Sequence, residues 1–194
     1  MSSRSLKVLA LVHGYVGPSR ASAGAGVAGV GGVAGVVGAP LNAGAEWMLH
    51  GMLRPLVEAG HSVEVGITSR RFASGDGYLV DGVQVIGGVV TPATLHETVL
   101  KADVLISHLQ SVPLALAMAA DRGKPVVVIE HNGHVGSKEQ LLGQGRGGYR
   151  PSLLVYNSEW MAEDYAADPL SAEAVREIPS LVVHPPVIAS ERTE

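Results

Sequence analysis

The chain of 194 residues contains no cysteine and few aromatic residues, which make up 4% of the sequence. The absence of cysteine excludes disulfide frameworks, thiolate zinc sites, iron–sulfur ligation and cysteine nucleophiles. The low aromatic content leaves few side chains that could stack on bases or sugars. Acidic residues outnumber basic ones by 18 to 14. Binding to a nucleic acid or an anionic membrane through bulk positive charge on this protein is therefore not expected.

The length and composition indicate one globular domain. A chain of 194 residues can bury a core of its own, and 46% of this one is hydrophobic against 16% charged. The apolar run at 8–12 is too short to span a membrane, and we interpret it as a buried first strand rather than the core of a signal peptide. We therefore expect a cytoplasmic protein whose contact with membranes is at most peripheral.

A Gly/Ala-rich tract occupies positions 21–39, where 17 of the first 18 residues are Gly, Ala or Val. Seven glycines lower its helix propensity and apolar area, so we interpret it as a low-complexity insertion in a surface loop, with a membrane span as the alternative. Gly24, Gly26 and Gly29 match the dinucleotide-binding pattern G-x-G-x-x-G. That pattern functions between a strand and a helix, and the following glycines disfavour the helix. A small dinucleotide-binding protein remains an alternative.

Beyond the tract, hydrophobic periodicity predicts strands that alternate with helices. Strands are expected at 8–12, 62–68, 83–86, 104–106, 125–130, 153–156 and 181–183, and helices at 44–59, 92–101, 113–122 and from Ser158 onward. The segments 70–81 and 131–150 are polar or glycine-rich and are expected to be loops. This alternation predicts the α/β class, with a Rossmann-like, mainly parallel sheet flanked by helices.

Polar residues follow several predicted strands at the point where each strand ends. His13 with Gly14, His108 and His131 all occupy such positions. Because parallel sheets bind ligands at the carboxyl ends of their strands, we expect these residues to line a crevice for a polar ligand. Asn132, next to His131, is a candidate sugar ligand of the same crevice.

The sequence Glu130-His131-x-x-His134 raises a metal site as an alternative. Two histidines three residues apart suit one face of a helix, but here they begin a glycine-bearing loop and no third ligand is evident. No metal is therefore expected.

Four stretches carry a family resemblance. They are KVLALVHGY at 7–15, NAGAEWMLHGMLRPLVEAGHSVEV at 42–65, ADVLISHLQSVPLALAMAADRGKPVVVIEHNGH at 102–134, and LLVYNSEWMAEDY at 153–165 with VVHPPV at 182–187. In this order they resemble the N-terminal domain of GT-B glycosyltransferases, specifically the retaining, nucleotide-sugar-dependent glycosyltransferase 4 type. The family usually has two adjacent glycines in its first loop, whereas this chain has Ala43-Gly44.

The resemblance implies a hexosyltransferase reaction, in which an acceptor oxygen attacks the anomeric carbon of a nucleotide sugar. It identifies His131 as the candidate catalytic residue, since the matching family histidine contacts the transferred sugar, and it implies no cofactor besides the nucleotide-sugar substrate. Ala43, Gly44 and Ala45 lie at the start of a predicted helix, where backbone N–H groups and the helix dipole could hold a diphosphate. An ordinary tight turn into the helix is the alternative for this loop.

In this family a second Rossmann-like domain holds most of the donor, and its motifs are not found in 1–194. We therefore expect a single acceptor-side half-domain that acts with a partner chain carrying the donor-binding domain, or as a homodimer. Its ligands are expected to be a nucleotide-sugar donor and a sugar or glycoconjugate acceptor, with no nucleic acid. A non-catalytic glycan-binding or acceptor-binding module of the same fold is the alternative.

Overall fold

A computed structural model describes residues 4–16, 44–73, 75–88, 90–131, 138, 149–169 and 171–184. The strands are β1 (Lys7–Val12), β2 (Ser62–Ile67), β3 (Tyr78–Val80), β4 (Val83–Val85), β5 (Val104–His108), β6 (Val126–Glu130), β7 (Leu153–Tyr156) and β8 (Ser180–Val182). The helices are α1 (Gly44–Glu58), α2 (Pro92–Lys101), α3 (Val112–Ala120), α4 (Glu159–Ala167) and α5 (Ala172–Arg176). The Gly/Ala tract, its glycine pattern and most of the predicted 131–150 loop lie outside the described residues.

The strands form one sheet in the order β3-β4-β2-β1-β5-β6-β7-β8. Every neighbouring pair is parallel except β3 with β4. The predicted Rossmann-like α/β architecture is therefore confirmed. The order reverses at β1, whose neighbours are β2 on one side and β5 on the other. In doubly wound sheets, the carboxyl ends at such a reversal are where ligands bind.

Two apolar clusters cover the two faces of the sheet. One contains residues of α2, α3 and α4, and the other contains residues of α1. Alternate residues of β1 belong to different clusters, since Leu9 and Leu11 lie in the first and Val8, Ala10 and Val12 in the second. Burial on both faces explains why β1 is a continuous apolar run rather than an alternation of apolar and polar residues.

The prediction of a loop over 70–81 is wrong at Tyr78–Val80, which forms β3 and pairs antiparallel with β4. Asp81 and Gly82 connect the two strands and have φ angles of 47° and 80°. Positive φ at both central residues is typical of the tight hairpin turn that favours Asp-Gly. The Asp81-Gly82 pair was therefore the sequence feature that could have predicted this hairpin. The short helix α5 was not predicted either.

A chain of hydrogen bonds attaches this hairpin to α1 and to the segment after β1. The Tyr15 hydroxyl lies 2.8 Å from His50 Nδ1, and His50 Nε2 lies 2.9 Å from Asp81 Oδ2. Because a carboxylate only accepts, His50 Nε2 donates to Asp81, and in the neutral form of the ring Nδ1 then accepts from the Tyr15 hydroxyl. Burial raises the pKa of Tyr15, so its hydroxyl stays protonated. Tyr15 and His50 are fully buried, so water cannot replace the bond between them, whereas the Asp81 side chain is exposed.

We predict that Tyr15→Phe lowers the free energy of unfolding by about 2 kcal/mol, because it leaves a buried imidazole nitrogen without its donor. Urea unfolding monitored by circular dichroism measures the change. Tyr78→Phe is the matched control: it removes the same atom from a half-buried side chain that donates to the Val16 carbonyl. Equal losses in the two variants would contradict the prediction.

Candidate functional site

The three histidines predicted to line a crevice lie at the carboxyl edge of the sheet, and two of them are in contact. His108 ends β5 and His131 follows β6, and their ring centroids are 5.1 Å apart with the planes inclined at 42°. His13 follows β1 and acts electrostatically on His108. Because β1, β5 and β6 are neighbours in the sheet, their parallel register brings these residues together.

His108 and His131 have buried nitrogen atoms without hydrogen-bond partners. His108 is only 1% exposed, and its Nδ1 has no partner among the described residues. Neither ring nitrogen of His131 has one within the same part of the chain. A buried polar atom left unpaired costs about 1–3 kcal/mol, so a ligand that supplied the missing partners would bind favourably.

Both of these imidazoles are neutral at neutral pH. Burial lowers the pKa of His108 to about 3, with smaller contributions from His131 and His13. Burial also lowers the pKa of His131. A neutral imidazole offers one donor and one acceptor, which suits hydroxyl groups. The pair cannot act as a cationic clamp for phosphate.

Glu46, in the first turn of α1, belongs to the same site and was missed by sequence reasoning. It is 5% exposed, and its Oε2 has no partner among the described residues. Burial raises the pKa of Glu46, whereas its own backbone N–H and nearby His13 act in the opposite direction. Helical spacing could have identified it, because Glu46 lies three and seven residues before the core residues Leu49 and Leu53.

Gly44 and Ala45 begin α1, as expected for the predicted phosphate loop, whereas Ala43 and Asn132 lie outside the described residues. A Cβ atom at Gly44 would contact nothing within 4 Å, so no close approach requires glycine there. The buried carboxyl group of Glu46 lies in the first turn of the same helix. Phosphate binding by this loop remains a prediction.

A second polar cluster links β6 to α4. The Tyr165 hydroxyl donates to Glu130 Oε2 over 2.7 Å, and burial raises the pKa of Glu130 to about 7. Lys138 Nζ lies 2.7 Å from carboxylate oxygens of both Asp164 and Asp168 and 5.0 Å from the centre of the Tyr165 ring. Glu130 therefore contacts α4, whereas its neighbour His131 contacts His108.

No group of three or more His, Asp or Glu side chains in the described ranges is arranged to hold a metal ion. His134 of the alternative metal pattern lies outside those ranges. The described helices include none with the length and hydrophobicity that crossing a bilayer demands. A cavity of about 140 Å³ lies at the opposite, amino edge of the sheet, lined by Lys7, Ser62, Glu64 and Lys101 among others. It is remote from the histidines.

Protein-family models, curated proteins and solved structures were all compared with the chain, and none of them matches it. The resemblance to glycosyltransferases therefore remains an inference from the residues of this sequence. The side chains at the carboxyl edge of the sheet provide the other basis for proposing a function.

We predict that Glu130→Gln reduces the loss of stability as pH rises from about 4.5 to 7.5. The pKa of Glu130 in the folded chain, about 7, is above its ordinary value of 4.5. Its stabilising contribution is therefore complete below pH 4.5 and is lost as pH rises through 7, by about 3 kcal/mol. Urea unfolding at several pH values measures the difference between variant and parent.

Glu163→Gln is the control for this comparison, because it removes the same charge from an exposed side chain of α4. Its unfolding free energy should follow that of the parent across the range. The other ionisable groups are common to all three proteins, so their contributions cancel. A Glu130→Gln profile parallel to that of the parent would contradict the assignment.

Proposed function

We propose that the chain is the acceptor-side domain of a retaining glycosyltransferase of the GT-B type, which transfers a sugar from a nucleotide sugar to an acceptor hydroxyl. One observation carries the proposal: Glu46, His108 and His131 have buried polar atoms without hydrogen-bond partners among the described residues, and they lie at the carboxyl edge, near the reversal of strand order. Their position agrees with the family resemblance, in which the histidine after the Pro-Val-Val strand contacts the transferred sugar.

The chemistry of these groups suits a sugar better than an anion. The neutral rings of His108 and His131 can each donate one hydrogen bond to a hydroxyl oxygen and accept one from a hydroxyl. The unpartnered Glu46 Oε2 can accept from another hydroxyl. A ligand with several hydroxyls would satisfy the buried atoms together and would be held in one orientation.

Catalysis in this proposal is mainly positioning. The acceptor oxygen forms a bond to the anomeric carbon, and the bond from that carbon to the phosphate oxygen breaks. The nucleotide diphosphate leaves with the electron pair, and its oxygen takes the proton of the acceptor hydroxyl. Orienting the reactants supplies a large part of such rate enhancements, and stabilising the leaving phosphate supplies another. His131 would orient the transferred sugar, and His13 with Gly14 and His108 would line the acceptor side.

The proposal assigns most of the donor nucleotide to a second, donor-binding domain on a partner chain, with a homodimer as the other arrangement. It includes a cytoplasmic location. A non-catalytic glycan-binding module of the same fold is the second candidate. It is favoured by the neutrality of His108 and His131, which provide hydrogen bonds for a sugar but no positive charge for a leaving phosphate.

We predict that His131→Ala weakens the binding of a sugar ligand by about tenfold and abolishes any glycosyl transfer, because both unpaired ring nitrogens are lost. The full chain, alone and with candidate donor domains, is screened by calorimetry against nucleotide sugars and free monosaccharides, and by transfer assay. His96→Ala, which removes an exposed histidine on α2, is the matched control.

The outcomes separate the candidates. Binding that depends on His131 together with sugar transfer supports the glycosyltransferase. Binding that depends on His131 without transfer by any donor domain supports the glycan-binding module. Binding and transfer by His131→Ala and His108→Ala at the level of the parent would contradict both.

A further inference from the structure

We infer that Arg70 and Arg71, in the turn after β2, form a phosphate-binding site beside His13. The inference deepens the proposed function and rests on it for the identity of the ligand, since the phosphate would belong to a substrate of the same crevice. It assigns phosphate to these two arginines instead of to the loop at Gly44.

The distribution of positive charge singles out this turn. Most basic residues of the described ranges lie at the amino edge of the sheet, where strands begin. These are Arg4, Lys7, Lys101, Arg122, Lys124, Arg150 and Arg176. Arg54 pairs with Glu58 along α1, and Lys138 is neutralised by two aspartates of the α4 region. Arg70 and Arg71 lie at the carboxyl edge instead, three and four residues after the end of β2.

Both arginines are exposed, and neither guanidinium has an ion-pair partner among the described residues. Arg71 lies against Phe72, with its guanidinium carbon 5.4 Å from the ring centre. The Phe72 ring in turn meets the His13 ring edge-on at 5.4 Å. One aromatic ring therefore connects the arginine to the crevice. A guanidinium presents a planar fork of donors that matches phosphate oxygens.

The turn that carries the arginines is held by its own backbone. The N–H groups of Phe72 and Ala73 donate to the Ser69 carbonyl at 3.2 and 3.0 Å, and the Arg71 N–H donates to Ser69 Oγ at 3.3 Å. Thr68, at the start of the turn, donates to the Val12 carbonyl over 3.0 Å. This bond attaches the turn, and with it the two arginines, to the carboxyl end of β1.

The start of α1 is the competing position, and its chemistry disfavours an anion. Its first turn holds the buried carboxyl group of Glu46. The unpartnered Oε2 offers a further acceptor, whereas a phosphate oxygen requires donors. An anion at this helix start would meet a carboxylate, which offsets the favourable end of the helix dipole.

The experiment is an NMR titration of the ¹⁵N-labelled full chain with inorganic pyrophosphate. We expect the largest shift changes at residues 69–72 and affinity at least about tenfold weaker in the Arg70→Gln/Arg71→Gln variant, since charge-assisted hydrogen bonds are lost. Arg54→Gln/Lys101→Gln removes the same charge elsewhere and should keep the parent affinity.

Several results would overturn the inference. They are absence of pyrophosphate binding, shift changes centred on residues 44–46 with tighter binding by Glu46→Gln, or equal weakening in both double variants. Tighter binding of a nucleoside diphosphate than of a monosaccharide phosphate would assign the site to the donor. The reverse order would assign it to a phosphorylated acceptor, and either order supports a phosphate site.

Failure of the inference and failure of the proposed function are distinguishable. Sugar binding that depends on His131, with pyrophosphate binding indifferent to the arginines, overturns only the phosphate site. Pyrophosphate binding that depends on the arginines, in a chain that neither binds nor transfers sugars, overturns only the glycosyltransferase proposal and leaves a phosphate-binding domain of another activity.

Discussion

The hydrogen-bonded pairing of β1 with β2 on one side and β5 on the other is the contact on which the rest of the arrangement depends. It places the reversal of strand order at β1 and delivers the carboxyl ends of β1, β2, β5 and β6 to one edge. Residues that are distant in the sequence meet there as a consequence of parallel register. The apolar clusters bury this central strand on both faces of the sheet. This burial fixes the carboxyl end of β1, from which the site residues around it are positioned.

Burial decides what the site can bind, because the hydrophobic surroundings that stabilise the sheet also remove charge from its histidines. Desolvation keeps His108 and His131 neutral, so the nitrogens that lack partners among the described residues suit hydroxyl groups better than anions. Positive charge occurs instead at the exposed turn after β2. In the two proposals, hydroxyl groups would therefore bind in the buried part of the crevice and phosphate at its exposed rim.

Much of the fold could be predicted because central strands are buried on both faces and appear as continuous apolar runs, as in Val126–Glu130. The edge strand Tyr78–Val80 was missed because three partly exposed residues between polar turns give little periodicity. Strand ends also predicted where His108 and His131 lie. The helical spacing of Glu46 could have indicated its burial. The contacts of Phe72 with Arg71 and His13 were not predictable, since they depend on how the turn after β2 packs beside the end of β1.

The hydrogen-bonded chain from Tyr15 through His50 to Asp81 connects the edge hairpin to the segment that bears His13. None of these three residues belongs to the proposed site. Tyr15 follows His13 by two residues and is fixed to α1, the helix that also carries Glu46. The same helix therefore sets the positions of a site carboxylate and of the segment that bears a site histidine. When the neutral His50 ring accepts from Tyr15 and donates to Asp81, one tautomer makes both hydrogen bonds. The hairpin turn at Asp81 thus helps to fix α1 and the segment after β1, although the turn itself is not part of the site.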